Sequence, residues 1–460
     1  MQKNLTEGNV FSILIRFSLP YLLSCFLQTF YGLADLFITG QFYGASTISA
    51  VSIGSQLMHM FTVIIAGLAM GTTVCIGRSV GEKNKRELSR VVGNSITIFI
   101  ILASCATILL MLFARPVLRI IFTPQEAFAE TLSYVLICFA GIPFITAYNV
   151  LSSIFRGLGD TKSPMYFVLV AGLFNIILDY IFIGLLHWGA GGAAAATIIS
   201  QALSVAFALF SLRRIKAKGG SGMGLALSRS DLRVDSACSA RILKIGVPIA
   251  LQDGLIQVSF IVITAIANSR GLAVAAAVGI VEKIICFLFL VPSAMLSSVS
   301  AIGAQNAGAR LHDRSRKTLF YAIAICLSFG AIVFTACQFY AEEILRLFSS
   351  SEEEVIRLGA GYLRSYTFDC MFAGVHFCFS GFFCAYGKSL YSFIHNILSI
   401  VIFRIPGALL ASIKFPDTLY PMGLAAPIGS LFSIFVCLAF FYHLNKEIGR
   451  LFQPQSGAVD

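Results

Sequence analysis

Apolar stretches of roughly 20 residues or more alternate with short polar connections along the whole of this 460-residue chain. As an α-helix, each stretch is long enough to cross the ~30 Å of hydrocarbon in a bilayer. Twelve such spans are predicted, near 11–40, 46–72, 91–113, 131–157, 163–187, 191–212, 241–269, 274–303, 317–340, 359–387, 391–413 and 420–445. Lipid offers no hydrogen bonds, so a spanning segment must pair its own backbone, and a helix does so within itself. The expected fold class is an all-α integral membrane protein of twelve transmembrane helices. Pro20, Pro143, Pro248 and Pro406 fall inside spans, where they are expected to kink the helix rather than end it.

Composition supports lipid as the solvent. Hydrophobic residues make up 57% and charged residues 12%, against roughly 25% charged in soluble domains. Mean hydropathy is +0.86. A disordered chain, a secreted disulfide scaffold and an ordinary cytosolic enzyme are excluded. The net charge of +11 comes from clusters between spans, which is a signature of topology and not of a nucleic-acid-binding face.

Those clusters alternate from one connection to the next. Arg78, Lys83, Lys85, Arg86 and Arg90 form one; Arg156 and Lys162 form another. Residues 213–244 carry eight more basic groups, and Arg310, Arg314, Arg316 and Lys317 complete the set. The positive-inside rule places this side, with both termini, in the cytoplasm of an inner (cell) membrane. The acidic run Glu352, Glu353 and Glu354 falls on the outer side. Eleven of the twelve cysteines lie in apolar segments, Cys238 alone standing in a polar stretch, and no C-x-x-C pair occurs. They are expected to be small packing residues. The six histidines (His59, His187, His312, His376, His395, His443) are scattered without metal-ligand spacing.

The chain repeats with a period of about 228 residues. RFSLPYLL, ending at Leu23, returns as LKIGVPIAL, ending at Leu251, and Pro20 pairs with Pro248. VCIGRSVGEKNKR (74–86) returns as SAIGAQNAGARLHDR (300–314), and SSIFRGLGDTKSP (152–164) as SGFFCAYGKSLYS (380–392). Each half holds an even number of spans, so both enter the membrane in the same sense, related by a pseudo-two-fold axis along its normal. The expected organisation is a six-helix lobe (1–212), a cytoplasmic linker (213–240) and a second six-helix lobe (241–460).

Intramembrane ionisable groups cost roughly 2.5–3.5 kcal/mol each at mid-helix and mark functional positions. Asp35 in span 1 and Asp179 in span 5 stand out, with Asn175 one turn before Asp179 on the same face. Counted from the outer end at about 1.5 Å per residue, Asp35 lies roughly 8 Å deep and Asp179 roughly 12 Å. Thr197 in span 6 and Tyr134 in span 4 lie roughly 9 Å and 5 Å below the same side. Four spans thus bring polar groups to one depth. Two carboxylates so placed repel, and one is expected to hold a proton. Carboxylate, amide and hydroxyl oxygens also suit Na⁺ at Asp35, Asn175, Asp179 and Thr197. The bland alternative, above all for Thr197 and Tyr134, is hydrogen bonding between helices.

FSLP followed by QTFYGLAD (28–35), GLAMGTTVCIGRSVGEKNKRE, FRGLGDTKSP, and NIILDYIFIG with GAGGAAAATIISQ resemble the multidrug and toxic compound extrusion (MATE) family, in order and over nearly the whole chain. The resemblance implies that the Asp35, Asn175, Asp179 and Thr197 positions form a cation or proton site, and that span 1 bends at Pro20. It also marks a departure. Span 7 reads PIALQDGLIQVSF, offering Gln252, Asp253 and Gln257 where some members carry a Na⁺-binding glutamate. Asp369 in span 10 is an intramembrane carboxylate about a turn out of the family register. Glu282 is expected to make a structural pairing, and Arg404, preceding Pro406, is expected to snorkel or to contact a neighbouring helix.

The reading is a carrier, not an enzyme: cation-coupled export of small cationic or amphipathic compounds by alternating access. No cofactor is expected beyond a coupling H⁺ or Na⁺, no nucleic acid, and a monomer in the lipid bilayer. A lipid-linked saccharide flippase of related architecture is the alternative.

Overall fold

The computed structural model describes residues 4–217, 228–348 and 352–451, and every regular element among them is helical. Spans 1 to 3 are Val10–Phe42, Ala45–Gly81 and Lys85–Ile120. Span 4 is a bent pair, Gln125–Ala140 and Ile142–Gly157, turning by 49°. Spans 5 to 8 are Lys162–Leu185, Gly189–Leu212, Ser236–Asn268 and Leu272–Gly308. Spans 9 to 12 are His312–Arg346, Glu353–Ala385, Ser389–Lys414 and Tyr420–Gly449.

The helices overrun the bounds expected from apolarity, because capping and not hydropathy decides where a helix stops. Asn84 Oδ1 accepts from Glu87 N at 3.1 Å and starts span 3, so Arg86 and Arg90 stand on its first turns instead of in a loop. Asn9 caps span 1 in the same way through Ser12 N. The expected linker is likewise shorter: helix continues to Ala217 and resumes at Ser236, with one 3₁₀ turn at Arg229–Leu232. Residues 218–227 of the linker lie outside the described residues. Cys238, read as polar in setting, is buried. All twelve cysteines are free thiols.

The prolines act unequally. Spans 1 and 7 run through Pro20 and Pro248 as continuous helices. Span 4 bends at Gly141, where Pro143 opens the second segment's first turn. Span 11 widens into π-helix at Ser399–Arg404 just before Pro406, whose missing N–H disturbs the regular ladder. Span 5 also has a π-helical stretch, Tyr180–Leu185, directly after Asp179.

The chain forms two compact units. The first is Met1–Gly254 with Ser297–Thr318 and Cys384–Gly387; the second is Leu255–Leu296, Leu319–Phe383 and Lys388–Asp460. Within the first, the 297–318 segment is tied in by Gln305, whose Nε2 donates to Gly157 O at 2.8 Å and whose Oε1 accepts from Leu5 N. Arg78 Nε donates to Ala385 O at 3.0 Å. Spans 2 and 8 touch backbone to backbone here: a Cβ on Gly81 would collide with Gln305 O, and one on Gly308 with Arg78 O. In the second unit span 10 is the most enclosed, with 72% of its apolar stretch buried against 22% for spans 9 and 11.

Candidate cation site

Asp35, Asn175 and Asp179 are all buried, in the first unit, with Tyr134. The Asp35 carboxyl adjoins those of Asp179 and the amide of Asn175, and its Oδ2 accepts from Thr197 Oγ1 at 3.2 Å. The same hydroxyl lies 3.0 Å from Ala193 O, and with one proton it donates to only one of the two at a time. Thr39 Oγ1 donates to Asp35 O at 2.7 Å, fixing the backbone under the carboxyl. Groups expected at similar depth on spans 1, 5 and 6 thus lie together.

What the cluster lacks is as informative as what it holds. Asp35 Oδ1, both oxygens of Asp179 and both polar atoms of the Asn175 side chain have no hydrogen-bond donor or acceptor of normal geometry. No ion pair of the described residues involves either carboxyl. Oxygen facing oxygen in an apolar slab requires a proton or a cation between them. Among the described residues no three His, Cys, Asp or Glu side chains gather as metal ligands; two carboxyls, one amide and one hydroxyl are the donor set present.

Tyr134 stands in electrostatic range of both carboxyls. Its ring is seated over Gly54 of span 2, where any Cβ would strike the aromatic carbons. Two further polar groups escaped the sequence reading. Tyr31 lies one turn before Asp35 and accepts from Gln201 Nε2 at 3.2 Å; Gln201 lies one turn after Thr197. Counting one turn from each singled-out residue would have found both. Gln28 Nε2 continues the line by donating to Tyr148 OH at 3.4 Å. Pro20 sits further along span 1, and Ser24 Oγ donates back to its carbonyl at 2.9 Å.

The span-7 and span-10 groups do not form one cluster. Gln252 is buried and Asp253 half-buried, both in the first unit, where Asp253 bonds with Gln252 and packs against Gly67 of span 2. Gln257 is half-buried in the second unit. Asp369 is buried there among Ser430, Arg404 and His376. Glu282 Oε2 accepts from Thr264 Oγ1 at 3.0 Å. Arg404 donates to Tyr366 OH at 2.7 Å and stacks on the Phe260 ring at 4.4 Å, a helix-contact role and not a snorkelling one.

Among the described residues, eleven helices and one bent pair are long and apolar enough to cross a membrane, and buried carboxyls without a partner sit among those of the first unit, as in a membrane transporter. The MatE family model matches the chain twice, over residues 20–181 and 248–410, at the offset that pairs Pro20 with Pro248. The chain belongs to the MATE family of transporters and is not an enzyme. It is 27% identical over 438 residues to the probable multidrug resistance protein YpnP of Bacillus subtilis (strain 168), covering 95% of this chain and 96% of that one. Identity is 25% over 448 residues to an FAD transporter of Shewanella oneidensis, covering 95% and 94%. Among solved structures, a MATE in complex with MaL6 aligns with a TM-score of 0.89 at 22% identity, over 97% of this chain and 99% of that one.

Proposed function

We propose that the protein is a cation-coupled antiporter that exports small cationic or amphipathic organic compounds by alternating access. The observation that carries the reading is the facing pair Asp35 and Asp179, with Asn175 and Thr197 beside them and most of their polar atoms unpaired. A proton, or Na⁺ held by the same oxygens, satisfies the cluster when bound. Loading the site from outside draws spans 1, 5 and 6 together and bends span 1 at Pro20, which lowers affinity for cargo; unloading reverses this. Cation and cargo must then weaken each other's binding by the same factor.

The basic ends of the spans and both termini face the cytoplasm of the cell membrane in this reading, and the chain works as a monomer. Its moving parts are two six-helix lobes, 1–212 and 241–460, a division supported by the doubled family match. The names of relatives point to multidrug efflux, and one to FAD, so organic compounds with a planar aromatic body are the first cargo to try.

The experiment is efflux of a fluorescent organic cation from proteoliposomes, with ΔpH and ΔNa⁺ imposed separately, for the wild type and Asp35→Asn. Efflux driven by one gradient and lost in the variant is the expected result. Efflux indifferent to both gradients would defeat the antiport reading.

A further inference from the structure

The short segment that leads into span 1 has a seat of its own in the first unit. Leu5 is buried, with 3% of its surface exposed, although Asn4 before it and residues 7–9 after it are exposed. Three side chains from the second half of the sequence hold the backbone here. Gln305 Oε1 accepts from Leu5 N at 3.3 Å, Asn306 Nδ2 donates to Leu5 O at 3.4 Å, and Arg314 Nη1 donates to Gly8 O at 2.9 Å. The seat is itself braced. Gln305 and Asn306 are buried, Asn306 Nδ2 also donates to Ile302 O at 2.8 Å, and Asn306 Oδ1 accepts from Arg314 Nε at 3.3 Å. One apolar side chain and the peptide groups around it are gripped by groups already in place.

Gly8 gives the segment its shape. Its φ of +87° is open to glycine at little cost, and it turns the chain from the seat into the Asn9 cap of span 1. Span 1 is held in turn by the first half of the sequence, where Thr161 Oγ1 donates to Phe17 O at 2.8 Å. The segment therefore crosses from one half to the other: its helix is fastened to the first and its own backbone to the second. Gln305 doubles the crossing, because its Nε2 donates to Gly157 O, at the last residue of span 4. The Gly81 and Gly308 approach of spans 2 and 8 is a contact of backbone surfaces; the segment adds directed bonds and a buried side chain to it.

The grip is of a reversible kind. Amide, guanidinium and peptide groups that part at a wet face find water in place of each other, so the bonds give direction at small net cost. Leu5 is what loses on leaving, since its side chain returns to water.

We propose that residues 4–9 are a latch: seated on Gln305, Asn306 and Arg314, they hold the two halves of the sequence together at the basic end of the helices, and they leave that seat whenever that end opens. The latch is continuous with span 1, the helix that carries Pro20 and Asp35, so a movement of span 1 reaches the seat along the covalent chain. That the basic end opens to the cytoplasm during transport rests on the antiport reading; the seat itself does not.

Amide exchange over residues 5–9 of the full chain in lipid nanodiscs, corrected for intrinsic rate, tests it. In the wild type, exchange should differ by at least about tenfold between protein held in excess acid or Na⁺ and protein saturated with a fluorescent organic cation. In Leu5→Ala/Arg314→Gln, exchange should be fast in both conditions. The fluorescent cation should then bind up to about tenfold more tightly, because more of the protein stands open at that end. Exchange that stays equally slow in both conditions, in wild-type protein that still transports, would make the segment a fixed anchor and overturn the proposal. A folded Leu5→Ala/Arg314→Gln protein with unchanged binding would overturn it as well. Exchange that responds to the fluorescent cation in a protein whose efflux ignores both gradients would leave the latch standing and defeat the antiport reading alone.

Discussion

Thr197 places its hydroxyl 3.2 Å from a carboxyl oxygen of Asp35, a residue 162 positions earlier in the chain. The contact joins span 6 to span 1, one turn from the bond that Gln201 makes to Tyr31 between the same two spans. Removing it in Thr197→Ala leaves Asp35 with no donor on Oδ2. The loss is worth about 1 kcal/mol, so the coupling cation should bind roughly fivefold differently, while Asp35→Asn should abolish gradient-driven efflux altogether. Cation titration of cargo binding in detergent checks both. An unchanged cation dependence in Thr197→Ala would mean that its hydroxyl serves Ala193 O alone.

Gly54 is the seat of Tyr134. Gly54→Ala introduces a methyl group into the ring, and relief requires the ring or span 2 to move. Overpacking of this kind costs about 1–3 kcal/mol. The thermal midpoint should fall, and the cation dependence of cargo binding should change with it. Tyr134→Phe, which keeps the ring, should preserve the midpoint and alter only the cation dependence. If neither variant touches the cation dependence, Tyr134 is a packing residue.

Span 1 passes through Pro20 without a break, yet Pro20 has no N–H for the carbonyl one turn earlier. Pro20→Ala restores that bond and should raise thermal stability. It should also make span 1 harder to bend, so that cargo affinity no longer responds to the coupling cation. A variant with higher stability and normal coupling would remove Pro20 from the mechanism.

Asp235, which precedes span 7, pairs with Arg90 and accepts from Cys238 N at 2.8 Å. The bond from Arg90 holds its carboxyl below the usual carboxylate range. A lowered native value means that the docking of this segment on span 3 is complete above the ordinary aspartate range and is lost as the pH falls through the lowered value. Amide exchange at residues 234–238, corrected for intrinsic rate, should therefore rise steeply only in strong acid. Asp235→Asn should exchange fast at neutral pH as well.

The spans were legible because hydrocarbon leaves a chain no other way to pair its backbone. Their ends were not, since Asn9 and Asn84 set them through single hydrogen bonds that hydropathy ignores. Asp35 and Asp179 were readable as costly charges at one depth. Tyr31 and Gln201 were missed because tyrosine and glutamine are cheap enough in spans to pass as packing.

The glycine contact between spans 2 and 8 has a dynamic consequence. The carbonyls that Gly81 and Gly308 approach are already engaged along their own helices, Arg78 O by Glu82 N at 2.8 Å and Gln305 O by Ala309 N at 3.0 Å. Pulling the two helices apart at these points would break no N–H hydrogen bond. Nor would it release or trap a side-chain rotamer, since glycine has none. Such a join is held by surface contact alone, so parting it leaves no backbone polar group without its partner.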